Sequence, residues 1–213
     1  PQKGGDLGVV VGDSGRRFGH EKNEVRLLDG YDHLLADFLL ENVIGAGSVS
    51  SGVHHREFLS APFAFSIMPV TTGPVYDENK RASWFSHKAE VATPYYYKVY
   101  LAEHDVVAEV SPSERAAAFR LTYPEKEMSY LVVDGYAGGS FVKVIPEENK
   151  IVGYVTNNHG GVPANFKNWF VIVSDTPFEM AETIADDKIT GNNETAADHA
   201  LAMVGFRTER GQK

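Results

Sequence analysis

Between Ser83 and Pro124 the chain reads Ser83-Trp-Phe-Ser-His-Lys-Ala-Glu-Val-Ala-Thr-Pro-Tyr-Tyr-Tyr-Lys-Val-Tyr-Leu101, and after a polar break Val107-Ala-Glu-Val-Ser-Pro112 and Phe119-Arg-Leu-Thr-Tyr-Pro124. Tyr95, Tyr97, Val99 and Leu101 alternate with Tyr96, Lys98 and Tyr100. A period of two, rich in aromatics, is the signature of a strand. Glu103-His104-Asp105 supplies a turn, Val107 and Val110 open a second run, and Ala117, Phe119 and Leu121 are the inward set of a third. Pro94, Pro112 and Pro124 fall where strands begin or end, because proline cannot donate to a ladder. The stretch predicts three strands of an antiparallel meander.

Working outward, Phe63 to Thr72 reads as a strand stopped by Met68-Pro69 and Gly73-Pro74. Glu127–Asp134, Phe141–Ile145, Ile151–Asn157, Asn168–Ser174 and Ala200–Arg207 read as further strands. Gly138-Gly139, Pro146-Glu-Glu-Asn149, Asn158-His-Gly-Gly161 and Gly191-Asn-Asn193 separate them as turns. His33 to Ile44 has helical spacing (Leu34, Leu35, Phe38, Leu39), ended by Gly45-Ala-Gly47, and predicts one short helix. Some ten strands with almost no helix make the expected fold all-β, an antiparallel β-sandwich. No internal repeat or low-complexity tract interrupts it.

Composition narrows the function classes. The 213 residues include no cysteine, which removes disulfides, thiol catalysis and cysteine-held zinc. The formal charge of −9 disfavours nucleic acid, whose phosphates need clustered Lys and Arg. No apolar run approaches the roughly 18 residues that a membrane span needs. The opening Pro-Gln-Lys-Gly-Gly, without signal peptide or initiator methionine, suits a processed end or an artificial boundary. Glycines between Gly4 and Gly19 lack the following Gly-Lys-Ser/Thr of a phosphate loop.

Several residues are candidates for chemistry. His54-His55-Arg56-Glu57 offers imidazoles beside a carboxylate, but neighbours on a strand point to opposite faces and seldom share one ion. A sugar or partner contact and a solvated loop remain open for that segment. Asn157, Asn158 and His159, in a turn with two glycines, are the polar groups of a sugar-binding rim, or simply a turn. Trp84 and Trp169 are candidates for stacking on a sugar's apolar face, or for the core. No serine sits in a Gly-x-Ser-x-Gly elbow. Among 29 acids, spacing elects no catalytic pair; Glu109 and Glu114 stand out only by lying in or beside strands, where a salt bridge or solvated face is the plainer reading. Asn193-Glu-Thr195 is a glycosylation sequon that matters only in a eukaryotic secretory host.

Met68-Pro-Val-Thr-Thr-Gly-Pro74 and Ser83-Trp-Phe-Ser-His-Lys-Ala-Glu90 resemble the N-terminal domain of glycoside hydrolase family 92, the calcium-dependent exo-acting α-mannosidases. Pro94-Tyr-Tyr-Tyr-Lys-Val resembles the family's Pro-Gly-Tyr-Tyr strand, with Tyr95 where that glycine is usual. Arg120-Leu-Thr-Tyr-Pro124, Ile145–Tyr154, Gly160–Asn168, Asp198-His-Ala200 and Gly205-Phe-Arg207 continue the resemblance in order, over roughly residues 63 to 210. Before Phe63 it departs. The family's Gly-Phe-Ser-His-x-His-Leu-Ser-Gly segment is replaced by Asp37–Gly47, and His54 and His55 sit on an extra loop.

The resemblance implies a supersandwich of the galactose-mutarotase-like kind over residues 63–213, with residues 1–62 as a divergent segment packing on it or completing it. It implies that the acid and base carboxylates and most of the Ca2+ site belong to a C-terminal (α/α) barrel domain, expected outside these residues. Calcium is accordingly expected for the complete enzyme and not for this chain alone, and no catalytic or metal residue is carried over. The implied role is part of the pocket wall and domain interface for hydrolysis of terminal α-mannose from a mannose-containing glycan. Trp84, His54, His55, Asn157, Asn158 and His159 are the expected substrate contacts. A bacterial source with secreted or periplasmic placement is also implied. The alternative is a stand-alone carbohydrate-binding or structural interaction module.

Overall fold

The computed structural model describes residues 65–209, apart from His87, Pro94, 113–115 and 157–162. The helix expected over His33–Ile44, the boundary expected at residue 62 and the Asn158–Gly161 turn lie outside the described residues. Within them the strands are β1 (Ser66–Val70), β2 (Val91–Thr93), β3 (Tyr96–Leu101), β4 (Val106–Pro112), β5 (Ala117–Thr122), β6 (Lys126–Asp134), β7 (Ser140–Ile145), β8 (Lys150–Val155), β9 (Asn168–Val173), β10 (Met180–Ala185), β11 (Lys188–Ile189), β12 (Glu194–Ala197) and β13 (Ala200–Thr208). One short helix, α1 (Glu78–Arg81), follows β1.

They form three sheets: β1-β6-β13-β10-β11, β12-β7-β8-β9 and β2-β3-β4-β5. Every pairing is antiparallel. The fold is an all-β sandwich, as the sequence predicts. One apolar core draws on all three sheets, with Val99 and Leu121 from the third, Leu131 and Val204 from the first and Ile151 and Phe170 from the second. β13 is buried at every position except Arg207, so its two faces are both covered. That is why its sequence is a continuous apolar run, whereas β7 and β8 alternate buried with half-buried residues over an outer face.

The meander holds in detail: Tyr97, Val99, Leu101, Phe119 and Leu121 are all buried. It has a further strand, β2, which pairs with β3 through Val91↔Lys98. Tyr95 does not join the inward set. It lies in the turn before β3 and is 71 % exposed. Nor does Met68-Pro69 stop β1. Pro69 stands inside that strand opposite Leu131, and it is tolerated because β1 is the sheet's edge and its missing N–H leaves no ladder partner wanting.

At Gly153 in β8 the backbone passes so close to β7 and β9 that a Cβ would lie 2.4 Å from both the Phe141 carbonyl oxygen and the Phe170 ring. Only glycine fits there. The β7–β8 hairpin turns through a 3₁₀ segment, Pro146–Glu148, with Asn149 left-handed at φ 50°.

Candidate functional site

The chain crosses between the first two sheets four times, and two of these crossings, from β6 to β7 and from β12 to β13, are tied together. Gly135 N donates to Ala200 O at 3.0 Å, Gly139 N to Asp198 O at 2.9 Å, and Ala200 N to Ser140 Oγ at 2.8 Å. This seam brings Asp134, the last residue of β6, against His199, the residue before β13.

Asp134 is fully buried. Its Oδ1 accepts from His199 Nε2 at 2.6 Å and from Tyr136 N at 2.8 Å, while Oδ2 is bonded to the Arg81 guanidinium. Arg81, buried at the end of α1, also donates to Tyr76 O at 3.0 Å. The Arg81 carbonyl in turn accepts from His104 Nε2 at 2.9 Å, in the turn between β3 and β4. The network therefore fastens all three sheets at one place. Burial alone pushes the Asp134 carboxyl up, but the His199 hydrogen bond, the Arg81 charge and the Tyr136 N–H outweigh it and hold the group below its ordinary value. The bond to Asp134 raises His199, against partial burial. With its side chain 28 % exposed, His199 is the solvent-facing end of the network, a fixed imidazole able to hold a proton. Asp134 has both oxygens engaged and is unsuited to proton transfer to a substrate.

Trp84 grows from the same base. Its carbonyl accepts from Ala102 N at 2.9 Å, and Ser83 Oγ accepts from Glu103 N at 3.1 Å. The segment is thus pinned to the β3–β4 turn at one end and to Asp134 at the other, and the indole is left 51 % exposed. Such a presented ring suits stacking on an apolar ligand face. The other expected contacts, His54, His55, Asn157, Asn158 and His159, lie outside the described residues. Glu109 takes the plainer reading: it accepts from Tyr96 Oη at 2.5 Å and stands between Lys98 and Arg120 in register. Glu114 lies outside the described residues.

Among the described residues no group of three or more His, Asp and Glu could hold a metal ion. They do not by themselves fit calcium, and Asp134, the most buried carboxylate, already faces two cationic side chains. No helix among them is long and apolar enough to cross a membrane.

Sequence reasoning missed the Arg81–Asp134–His199 set because its members lie 53 and 65 residues apart. The available signal was a charged residue abutting an apolar run: Asp134 closes Leu131-Val-Val, and His199 precedes Ala200-Leu-Ala.

Comparison with known proteins gives a consistent result. The model of the glycosyl hydrolase family 92 N-terminal domain matches residues 58–213. No curated protein matches. Among solved structures, the family GH92 inverting mannosidase BT2199 from Bacteroides thetaiotaomicron is 36 % identical with a TM-score of 0.65, over 70 % of this chain and 20 % of that one. The family GH92 α-mannosidase BT3965 from the same organism, at 23 % identity and a TM-score of 0.60, is matched over 69 % of this chain and 22 % of its own. The GH92 family glycosyl hydrolase ccman5 gives 20 % and 0.52 over 78 % and 23 %. The chain spans about a fifth of the length of these relatives.

Proposed function

Because this chain belongs to glycosyl hydrolase family 92 as its N-terminal domain, we propose that it is the sandwich half of an α-mannosidase-like glycoside hydrolase. In this reading it forms part of the pocket wall and the interface to a C-terminal (α/α) barrel, which supplies acid and base. The observation that carries the reading is the 36 % identity to an inverting mannosidase over 70 % of this chain. Inverting hydrolysis needs two carboxyl groups roughly 6.5–9.5 Å apart with a water between them. Asp134, its oxygens closed on Arg81 and His199, is not suited to be one of them. Trp84, rigidly based and half-exposed, is the described residue best suited to meet the glycan.

The calcium requirement of the complete enzyme, a bacterial source and secreted or periplasmic placement belong to the same proposal and rest on the family alone. The test is release of mannose from α-1,2-linked mannobiose by the purified chain, with calcium and with chelator, alone and with a separately made helical domain. The expected result is no turnover alone and chelator-sensitive turnover on reconstitution. Turnover by the chain alone would overturn the division of labour, and silence in both arms would favour a stand-alone binding module.

A further inference from the structure

The edge of a sheet turns backbone N–H and C=O groups outward and is a template for a further strand unless something blunts it. Most edges among the described strands are blunted. β1 carries Pro69, and β2 and β11 are three and two residues long. β12 has four residues and begins at Glu194, and β5 presents an exposed Arg120. β9 is the exception. Trp169-Phe-Val-Ile-Val173 has no proline, no glycine and no charge, and none of the described strands pairs with its outer side.

Hydrogen bonding decides which groups face that side. Ser174 N donates to Asn149 O at 2.8 Å, one residue beyond the Lys150↔Val173 pair. Bonded and non-bonded pairs alternate along an antiparallel ladder. Phe170 and Ile172 therefore bond to β8, and the N–H and C=O groups of Trp169, Val171 and Val173 point to the open edge. The side chains of these three lie on the outer face of the sheet, where Trp169 and Val173 are exposed and Val171 is half-buried. Trp169 ends an aromatic row in which the Phe141 and Tyr154 rings stack at 5.3 Å and Tyr154 meets Trp169 edge-on at 4.8 Å. On the core side Phe170 stacks on Phe65 at 3.9 Å, so the strand is braced from beneath.

β9 is also complementary to itself. A twofold axis through Val171 sets two copies of the strand antiparallel, with Val171 facing the partner's Val171 and Trp169 facing the partner's Val173. Every outward backbone group then falls in a bonded pair. The same register brings Lys167, whose Nζ lies over the Tyr154 ring on the outer face, opposite the partner's Asp175. Sliding by two residues either way sets Lys167 against the partner's Val173 or the partner's Pro177 and loses the charge match. The other charges near this end of the sheet are placed elsewhere: Lys150 is bonded to Glu148, and Glu147 lines a hollow beside Lys143 on the β7 side.

We propose that β9 is a self-association edge, through which two copies of this chain pair about Val171 and join their β12-β7-β8-β9 sheets into one. Pairing uses up β9 in both copies, so a twofold contact of this kind closes at the dimer. The inference does not rest on the hydrolase reading.

The experiment follows the full 213-residue chain by sedimentation velocity from about 1 μM to about 1 mM, where small interfaces associate, with hydrogen exchange of the β9 amides at both ends of the range. A monomer–dimer equilibrium is expected, the Trp169, Val171 and Val173 amides exchanging fast in the dilute sample and slowly in the concentrated one. Lys167→Asp and Asp175→Lys should each weaken the dimer about 3- to 10-fold by facing like charges across the axis. The two together should restore it to within about twofold of wild type, which only the register centred on Val171 allows. Both positions are on the surface, so these variants keep the test decisive should a substitution within β9 fold poorly. Val171→Lys, which faces two lysines at the axis, should leave monomer throughout, and Tyr100→Phe, on another sheet, should change nothing. Monomer at the highest concentration, growth beyond the dimer, slow exchange of those three amides in the dilute sample, or a double variant no tighter than the single ones would overturn the proposal.

Discussion

The seam around Asp134 and the outer face of the β12-β7-β8-β9 sheet are both ordered sets of polar and aromatic groups, turned to opposite ends. At the seam the charges are buried and closed on one another: Asp134 takes Arg81, His199 and the Tyr136 N–H, and Arg81 also holds Tyr76 O. On the outer face Lys143 pairs with Glu194 and Lys150 with Glu148 in the open, and the Trp169 ring is left 40 % exposed. A closed network stabilises the fold and has little to offer a ligand; an open one contributes little to folding and has recognition to spare. A count of charged residues would rank the two the wrong way round for binding.

The largest effect that could break this contrast is at Asp134. Removing one member of a buried ion pair leaves the other charged and uncompensated, at a cost of about 3–5 kcal/mol. Asp134→Ala should lower the unfolding free energy by that amount in a denaturant titration, and a loss under about 1 kcal/mol would show that the seam is not what locks the sheets. Next comes Gly153→Ala, which drives a methyl into the Phe141 carbonyl and the Phe170 ring. Overpacking of this kind costs about 1–3 kcal/mol, read from the same titration. A wild-type midpoint would mean that β8 and β9 can separate freely.

The pH dependence of the seam sharpens the comparison further. His199 is raised above its ordinary 6.5, so its contribution is full below 6.5 and is lost as pH rises through the higher folded value. Asp134 is lowered from 3.8. Its contribution is full above 3.8 and disappears as pH falls through the lower folded value. Stability should therefore decline on both sides of the window between these two ordinary values. In His199→Gln the alkaline decline should vanish, and an unchanged alkaline limb would remove His199 from the network.

What was legible in the sequence followed from local alternation. Tyr97, Val99 and Leu101 declare one buried face because each is two residues from the next, and β6 to β9 and β13 stand at nearly the ranges their apolar runs suggest. The missed elements lack that contrast. β10, Met-Ala-Glu-Thr-Ile-Ala, buries only the adjacent Thr183 and Ile184 and leaves the rest half-buried; β12 is four residues long and α1 a single turn. Pro69 misled because its meaning depends on whether the strand is at an edge, which only pairing decides. The functional surfaces were harder still. Trp169 could be singled out, but its place beside Tyr154 and Phe141 follows from the register of three strands, and Asp134 meets His199 only because two crossings share one seam.

The smallest effect is at the exposed end of the aromatic row, and it separates an open surface from a structural brace. Trp169 has an edge-on contact with Tyr154 and a more distant one with Phe141, at 6.5 Å, and much of its ring faces solvent. Cross-strand pairs of this kind contribute about 0.2–1 kcal/mol each. Trp169 is 40 % exposed, so truncation loses part of an aromatic burial, and Trp169→Ala should reduce the unfolding free energy by about 1–2 kcal/mol, below the loss at Asp134. The measurement is the same denaturant titration, on the purified variant. A stability loss as large as that of Asp134→Ala would make the aromatic row a structural brace like the seam. A clearly smaller loss would leave the row as a face that the fold presents to solvent and does not depend on, which is its contrast with the closed seam.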